Sequence, residues 1–279
     1  MAAPVNMPET GIVKLKIPWT QNDWSGPMEN LHIFITSNIA HEFSKQVTGF
    51  GLSAQGPWSF FASGGSLAPK LYHELANNSD FWTAAAQMSI YLGDERVIDP
   101  ETDASNTFNI KKALLAPLNS NGSHPSIWPP FSNGDLASLS QHFRGDNADD
   151  YKLCQAVADD YSEIISASPR PWLIHLGVGP DGHTASLFPG SPALDTTQAT
   201  GKLYLANYDP NGLNRYLRLT LSQQAIATAE TVIITAGGSD KAIAIRGLLE
   251  NDVRFPVATV NAAKINLIID YEAASLIEE

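Results

Sequence analysis

The sequence predicts a doubly wound, Rossmann-like α/β fold, in which a mainly parallel sheet carries helices on both faces. Two observations support this prediction. Apolar runs of about five residues recur along the chain, as in strands that are buried on both faces. After most of them comes a turn rich in Gly, Ser or Asp and then a segment of helical periodicity. That alternation is typical of parallel strands joined by helical crossovers.

The predicted elements follow in chain order. The apolar runs predict strands at Leu31–Thr36, Trp58–Ala62, Met88–Leu92, Trp172–Leu176 and Thr231–Ala236. Helical periodicity predicts helices that end near Asn77, run from about Ser105 to Leu115, cover Tyr151–Ile165 and end near Glu250. In a sheet of this kind, ligands bind outside the carboxyl ends of the strands.

Two segments lie outside this alternation. Residues 1–28 contain four prolines, and we predict an N-terminal arm there with an edge strand at Ile12–Ile17. The stretch Asn119–Asp150 is rich in Ser, Asn, Gly and Pro, and we interpret it as a long surface excursion. Because the strand–helix pattern resumes after it, residues 29–279 are predicted to form a single α/β domain.

Charge and composition exclude several classes of protein. The 279 residues include 17 Lys and Arg against 29 Asp and Glu, a net charge of −12, which argues against nucleic acid or an anionic membrane as partner. A small anionic substrate stays compatible, because a pocket needs only a few cations. No run approaches the roughly 20 apolar residues of a membrane span, and no secretory signal is evident. The single cysteine, Cys154, excludes an internal disulfide. We therefore expect a cytoplasmic protein.

The first candidate site is Ser63-Gly64-Gly65-Ser66, which lies between a predicted strand and a predicted helix. Glycines let the backbone approach a ligand closely, and a helix N-terminus offers free N–H groups to a phosphate. The sequence lacks the Gly-Lys-Ser/Thr ending of a P-loop. The alternative is an ordinary turn in which Ser66 caps the helix.

The second candidate site is the loop Gly177–His183, whose glycines match a dinucleotide-binding pattern. We reject that interpretation because Pro189, Gly190 and Pro192 end any helix that follows within two turns. His183 is suited to proton transfer near neutral pH, and Asp181 can orient its ring across a tight turn. The alternative is a histidine that only caps a backbone carbonyl. His175, inside a predicted strand, is interpreted as a core histidine.

Two cations also follow predicted strands. Arg96 ends a Gly-Asp-Glu-Arg turn and can make bidentate contacts to a phosphate or carboxylate. Its alternative role is an exposed ion pair with Glu95 or Asp99. Lys241 lies at a predicted helix start, where the helix dipole disfavours a cation unless an anion binds there. Its alternative is a solvated lysine.

Taken together, these segments resemble the 6-phosphogluconolactonase family. The block LGVGPDGHTASLFPG at residues 176–190 is similar to the family's active-site signature. Supporting blocks occur in the family's order: SGGSLAPKLY, YLGDERVI, SNTFNIKKALL, YLRLTL and TAGGSDKAIAI. The related aminosugar-phosphate deaminase/isomerases share the Gly-x-Gly-x-Asp-Gly-His core but continue differently. This chain continues with Thr184–Pro189, which favours the lactonases.

The resemblance implies an enzyme that hydrolyses 6-phosphoglucono-δ-lactone to 6-phosphogluconate in the oxidative pentose phosphate pathway, without a metal or organic cofactor. By the same resemblance, His183 is the general base that activates water, and Asp181 orients it. The phosphate would be held by Ser63, Gly64, Gly65, Ser66, Arg96 and Lys241, with Arg218 as a further candidate.

Loop chemistry adds one expectation. Backbone N–H groups of the Gly177–Gly182 loop, Gly179 among them, are expected to stabilise the developing oxyanion. The expected partner is a small sugar-phosphate lactone, and the chain is expected to be a monomer or a weak homo-oligomer. The alternatives are an aminosugar-phosphate deaminase/isomerase and a non-catalytic sugar-phosphate sensor of the same fold. A sensor would have no need of His183.

Overall fold

The computed structural model describes residues 10–12, 30–131 and 148–277. Within them the strands are β1 (Thr10–Ile12), β2 (Leu31–Thr36), β3 (Trp58–Ala62), β4 (Met88–Leu92), β5 (Asp94–Arg96), β6 (Ser126–Trp128), β7 (Trp172–Gly177), β8 (Tyr204–Asn207), β9 (Arg218–Leu221), β10 (Thr231–Ala236) and β11 (Ile265–Ile269). The α-helices are α1 (Ile39–Ser53), α2 (Ala68–Ala76), α3 (Ser79–Ala85), α4 (Asn106–Ile110), α5 (Ala116–Ser120), α6 (Ala148–Ser166), α7 (Thr196–Ala199), α8 (Gln223–Ala227) and α9 (Ala242–Leu249).

The main sheet has the strand order β1-β2-β11-β10-β7-β3-β4-β6. All neighbours in it are parallel except the edge strand β1, which pairs antiparallel with β2. One apolar core lies on the sheet face covered by α1, α2 and α3, and another lies on the face covered by α6 and α9. The predicted doubly wound α/β class is confirmed, and four of the five predicted strands have the predicted bounds. The fifth, β7, is one residue longer than predicted.

The structure contains pairings that the sequence analysis did not predict. Strand β11 is fully buried between β10 and β2. A second, antiparallel sheet of order β5-β9-β8 begins one residue after β4 and is joined to it at Gly93. The N–H of Gly93 donates to the carbonyl of Ala62 at 2.8 Å, while its own carbonyl accepts from Leu221 at 2.9 Å. Strands of three or four residues are too short to show a clear period in sequence.

Several predicted boundaries are corrected. The helix expected at Ser105–Leu115 begins after Ser105, passes through a π-helical turn at Lys111–Leu115 and ends with α5. The excursion expected at Asn119–Asp150 instead contributes β6 to the sheet edge; residues 132–147 lie outside the described residues. Of the predicted arm, only residues 10–12 are described, and the predicted strand Ile12–Ile17 lies outside them apart from Ile12. No described helix is long and apolar enough to cross a membrane.

Glu95 is the residue that ties the small sheet to α4. Its carboxylate is fully buried and accepts hydrogen bonds from the N–H groups of Asn106 (2.8 Å) and Thr107 (2.7 Å) at the helix N-terminus. It also accepts from the N–H of Arg96 at 2.7 Å and from the hydroxyl of Thr107 at 2.6 Å. Burial raises the pKa of Glu95, and these donors act in the opposite direction. Glu95 therefore attaches β5 to the N-terminus of α4.

We expect Glu95→Gln to lower the free energy of unfolding by about 2–4 kcal/mol, because the amide nitrogen would meet N–H and O–H donors where the carboxylate now accepts. Chemical denaturation followed by circular dichroism measures the change. The matched control is Glu101→Gln, whose side chain is 64% exposed; we expect a change within about 0.5 kcal/mol. Equal losses in the two variants would contradict this role for Glu95.

Candidate active site

An open cleft lies at the carboxyl ends of β3, β7 and β10, with the small antiparallel sheet at its side. The predicted site residues that line it are Ser63, Gly64, Gly65, Ser66, Arg96, Gly179, His183, Arg218 and Lys241. Asp181 stands behind His183. The structure thus brings the predicted site residues together at one cleft. Those that follow β3, β7 and β10 lie there as parallel topology requires, whereas Arg96 and Arg218 reach it from the antiparallel sheet.

The loop Ser63–Ser66 begins where β3 ends. Helix α2 starts two residues after the loop, and its N-cap residue is Leu67, which makes no side-chain capping bond. Ser66 is exposed and lines the cleft, so the alternative in which Ser66 caps the helix is wrong. Gly64 is required by close approach, because a Cβ there would overlap the side chain of Asn106.

Asp181 and His183 form a hydrogen-bonded pair on a single tight turn. The Oδ1 atom of Asp181 lies 2.5 Å from Nδ1 of His183 and also accepts from the His183 N–H at 3.2 Å. Burial raises the pKa of Asp181, but the hydrogen bonds and charge of His183 outweigh it and the net pKa is lowered. An ionised Asp181 holds a proton on Nδ1. The imidazole therefore presents Nε2 as its proton acceptor.

The turn that carries this pair is closed by its own backbone. The N–H of Gly179 donates to the carbonyl of His183 at 2.8 Å, and the N–H of Gly182 donates to the carbonyl of Gly179 at 2.9 Å. Neither group is available to an oxyanion, so that expectation is wrong for Gly179 and Gly182. Gly179 matters for space instead, because a Cβ there would overlap the His183 ring.

Arg96 and Arg218 lie opposite each other on adjacent strands of the small sheet. They are directly opposed in the antiparallel pairing of β5 with β9, so their side chains share one face. The Arg96 guanidinium donates to the carbonyl of Ala104 at 2.6 Å, which contradicts the alternative of an ion pair with Glu95 or Asp99. Directly opposed like charges destabilise a sheet unless another group offsets them.

Arg218 is the more deeply buried of the two arginines. It is only 5% exposed, and Nη2 makes one long contact of 3.4 Å to Oδ1 of Asn214. Its Nε and Nη1 atoms have no hydrogen-bond partner within the described part of the chain. Burial, with the neighbouring charge of Arg96, lowers the pKa of Arg218 to about 10, so the guanidinium stays charged at neutral pH. Buried donors without partners are costly, and Arg218 is one of the residues that line the cleft.

Lys241 lines the cleft on the side of β10, in a 3-10 turn just before α9. Its side chain is only 17% exposed, so it is not the freely solvated lysine of the alternative interpretation. Its ammonium lies 2.7 Å from the exposed carboxylate of Asp240. Among the described residues, the Asp, Glu, Lys and Arg side chains that line the cleft are Asp94, Arg96, Arg218 and Lys241. Cations therefore predominate there, although the chain as a whole is acidic.

Five polar residues of the cleft are not among the residues predicted from the sequence: Asp94, Asn106, Ser186, Asn214 and Thr235. Asp94 accepts from the hydroxyl of Ser186 at 2.6 Å, and the amide of Asn106 donates to its carbonyl at 2.9 Å. Asp94 belongs to the Gly-Asp-Glu-Arg segment, which was expected to be a turn but forms β5 from Asp94 to Arg96. The position of this segment directly after a predicted strand was a usable signal. The described residues contain no group of three or more His, Cys, Asp and Glu arranged to hold a metal ion.

Comparisons with known proteins identify the family and the fold. The family model described as glucosamine-6-phosphate isomerases/6-phosphogluconolactonase matches residues 35–269. A relative from Saccharomyces cerevisiae, 6-phosphogluconolactonase 4, is 28% identical over 254 residues, which cover 87% of this chain and 95% of the relative. A crystal structure of a 6-phosphogluconolactonase from Shewanella baltica is 25% identical, with a TM-score of 0.68 over 93% of this chain and 99% of that one. One from Leishmania guyanensis, 24% identical, shares the fold with a TM-score of 0.73 over 88% of this chain and 98% of that one.

We expect Gly179→Ala to displace the His183 ring and break its bond to Asp181, because the new methyl group would occupy the ring's position. Proton NMR tests this through the downfield resonance of the His183 Nδ1 proton, which should disappear. The control is Gly49→Ala in α1, where a Cβ meets no atom within 4 Å and the resonance should persist. An unchanged resonance in Gly179→Ala would contradict the steric argument.

Proposed function

The chain belongs to the glucosamine-6-phosphate isomerase/6-phosphogluconolactonase family, and we propose that it hydrolyses 6-phosphoglucono-δ-lactone to 6-phosphogluconate in the oxidative pentose phosphate pathway. One observation carries the proposal: a carboxylate-oriented imidazole, that of His183, shares a cleft with the buried, unpartnered donors of Arg218. Such a cleft combines a proton acceptor with an anion site. Within the family, Thr184–Pro189 and the lactonase relatives favour lactone hydrolysis over deamination.

The chemistry assigned to the first half of the cleft is attack by water on the lactone carbonyl. Nε2 of His183 removes a proton from the water as its oxygen bonds to the carbonyl carbon. When the tetrahedral intermediate collapses, the bond to the ring oxygen breaks and that oxygen takes a proton from the imidazolium. Ionised Asp181 stabilises the imidazolium between these steps. A positioned general base contributes about 10²- to 10⁴-fold, a useful gain for an ester that also hydrolyses unaided.

The second half of the cleft is assigned to the phosphate. The Ser63–Ser66 loop and Lys241 approach it from the ends of β3 and β10, while Arg96 and Arg218 approach from the small sheet. Charge-assisted hydrogen bonds are worth about 1.5–3 kcal/mol each, so a few of them suffice to hold a phosphate against the net negative charge of the chain. Arg218 contributes most, since its free donors are already desolvated.

The experiment that tests this function is a lactonase assay on freshly generated 6-phosphogluconolactone. We expect His183→Ala to lower kcat by about 10²- to 10⁴-fold and to leave 6-phosphogluconate binding within about twofold, because the ring acts on the water and not on the phosphate. The control is His41→Ala, an exposed histidine on α1. Near-wild-type turnover in His183→Ala, after correction for spontaneous hydrolysis, would refute the base assignment. Release of ammonia from glucosamine 6-phosphate by the wild type would favour the deaminase instead.

We expect Arg218→Met to change binding and stability in opposite directions. Loss of the guanidinium should raise KM about tenfold or more, because a charged donor to the phosphate is removed. The free energy of unfolding of the ligand-free protein should rise by about 1 kcal/mol, because a buried charge without a partner carboxylate is replaced by an apolar chain. Steady-state kinetics and chemical denaturation measure the two quantities.

The control for this pair of measurements is Arg254→Met. Arg254 is highly exposed and pairs with Asp252, away from the cleft lining, and we expect neither quantity to change. An unchanged KM in Arg218→Met would remove Arg218 from the phosphate site.

A further inference from the structure

A buried chain of hydrogen bonds runs along the floor of the cleft, which His175 and Thr235 help to line, and it is not used by the proposed reaction. His175, on β7, is 1% exposed; its Nδ1 lies 2.8 Å from the hydroxyl of Tyr72, and its Nε2 lies 3.0 Å from the hydroxyl of Thr235. The Tyr72 hydroxyl also lies 2.7 Å from the N–H and 2.8 Å from the carbonyl of Ser63. The chain therefore begins on β10 and ends on the first residue of the Ser63–Ser66 loop.

Sheet topology gives this chain its direction. The strands β10, β7 and β3 are neighbours in the sheet, so the hydrogen bonds cross it laterally at the floor of the cleft. At one end Thr235 leads into the turn that carries Lys241. At the other end Ser63 opens the glycine loop. Both ends thus belong to the half of the cleft that is assigned to the phosphate.

A count of protons fixes the tautomer of His175. The Tyr72 hydroxyl accepts from the Ser63 N–H and has a single proton to donate. If it donates to the Ser63 carbonyl, then Nδ1–H of His175 donates to Tyr72 and Nε2 accepts from the Thr235 hydroxyl. Every contact is then satisfied. The opposite assignment leaves two oxygens 2.8 Å apart without a proton between them.

Neither ring in the chain ionises under ordinary conditions. Burial lowers the pKa of His175 to about 3 and raises the pKa of Tyr72 well above its usual range. The chain is consequently a fixed set of neutral dipoles rather than a proton relay. The rings of Phe43 and Tyr72 pack against the imidazole, with centroids 4.7 Å and 5.6 Å away.

We propose that His175 is a positioning residue for phosphate recognition, which holds the Ser63–Ser66 loop at a fixed distance from the β10 turn through Tyr72 and Thr235. The inference rests on the proposed function, because it assigns the phosphate to that loop. The interpretation of His175 as a core histidine is correct for its burial but incomplete. An apolar side chain would fill the same space and leave the loop attached to Tyr72 alone.

The expected signature is a change in binding without a change in chemistry. His183 lies on a separate turn that is closed by its own backbone bonds. Without the imidazole, the loop must be ordered when the phosphate binds, and ordering costs affinity. We expect His175→Leu to raise KM about 3- to 10-fold, the effect of losing one net hydrogen bond, while kcat stays within about twofold. The dissociation constant for inorganic phosphate should rise by the same factor. Tyr72→Phe should behave in the same way.

Two conservative variants distinguish the hydrogen bond between His175 and Tyr72 from the one between His175 and Thr235. His175→Asn places an amide N–H at the position of Nδ1 and can still donate to Tyr72, so we expect KM and phosphate affinity to recover most of the loss. His175→Gln places its amide at the position of Nε2 and reaches Thr235 only, so we expect no recovery. Should His175→Leu fail to fold, Tyr72→Phe and the comparison of Asn with Gln still decide the question.

The matched control is Leu173→Ala. Leu173 is buried on β7 two residues before His175, in the same apolar core as Tyr72, and it does not line the cleft. Its truncation should lower the unfolding temperature without weakening phosphate binding. Unchanged phosphate affinity in folded His175→Leu and Tyr72→Phe would overturn the proposal. Equal weakening in Leu173→Ala would do the same, since it would trace the effect to general destabilisation.

Calorimetric titration with inorganic phosphate keeps the two proposals separable, because it needs no turnover. A wild type that binds phosphate but does not hydrolyse the lactone would refute the proposed function and leave the role of His175 supported by the variants. Normal lactone hydrolysis with phosphate affinity that does not depend on His175 would refute only the positioning role.

Discussion

The arrangement of the cleft depends on holding two guanidinium groups opposite each other in a largely buried place. Arg96 and Arg218 are paired across β5 and β9, and no carboxylate of the described residues bonds either guanidinium directly. The nearby acids are committed elsewhere: Glu95 to the N-terminus of α4, and Asp94 to Ser186 and Asn106. They moderate the cost of burying Arg218 at a distance without neutralising it. The two apolar cores must supply the remaining stability.

Backbone geometry makes room for several of the side chains at the cleft. His183 and Asp181 share one turn, and the absence of a side chain at Gly179 leaves the imidazole room beside the backbone. Gly64 does the same for Asn106, which in turn fixes Asp94. These glycines let the neighbouring side chains lie close to the backbone, so the dimensions of the cleft depend in part on positions that have no side chain.

The sequence predicts those parts of the protein that depend on residues close together along the chain. Buried parallel strands are continuous apolar runs, and the Asp181–His183 bond spans two residues, so both are visible in the sequence. The pairing of β5 with β9 joins distant segments, and the burial of Glu95 follows only from that pairing. The same limit applies to His175, whose burial is evident from its strand while its partners, Tyr72 and Thr235, come from other elements.

The net charge of −12 is spread over the whole chain, whereas the cations of the cleft act over short distances. At physiological ionic strength, charges separated by more than about 8 Å are largely screened. The acidic surface would therefore act weakly on a phosphate bound at the proposed site, whereas cations in contact with that phosphate would act fully. Hydrolysis of a lactone creates one further carboxylate, and Asp94 already lies in the cleft wall. The positive charge of the three cations that line the cleft balances the charge of a single phosphate more closely than the combined charge of a phosphate and a carboxylate. The same electrostatics that admit the lactone therefore favour departure of its product.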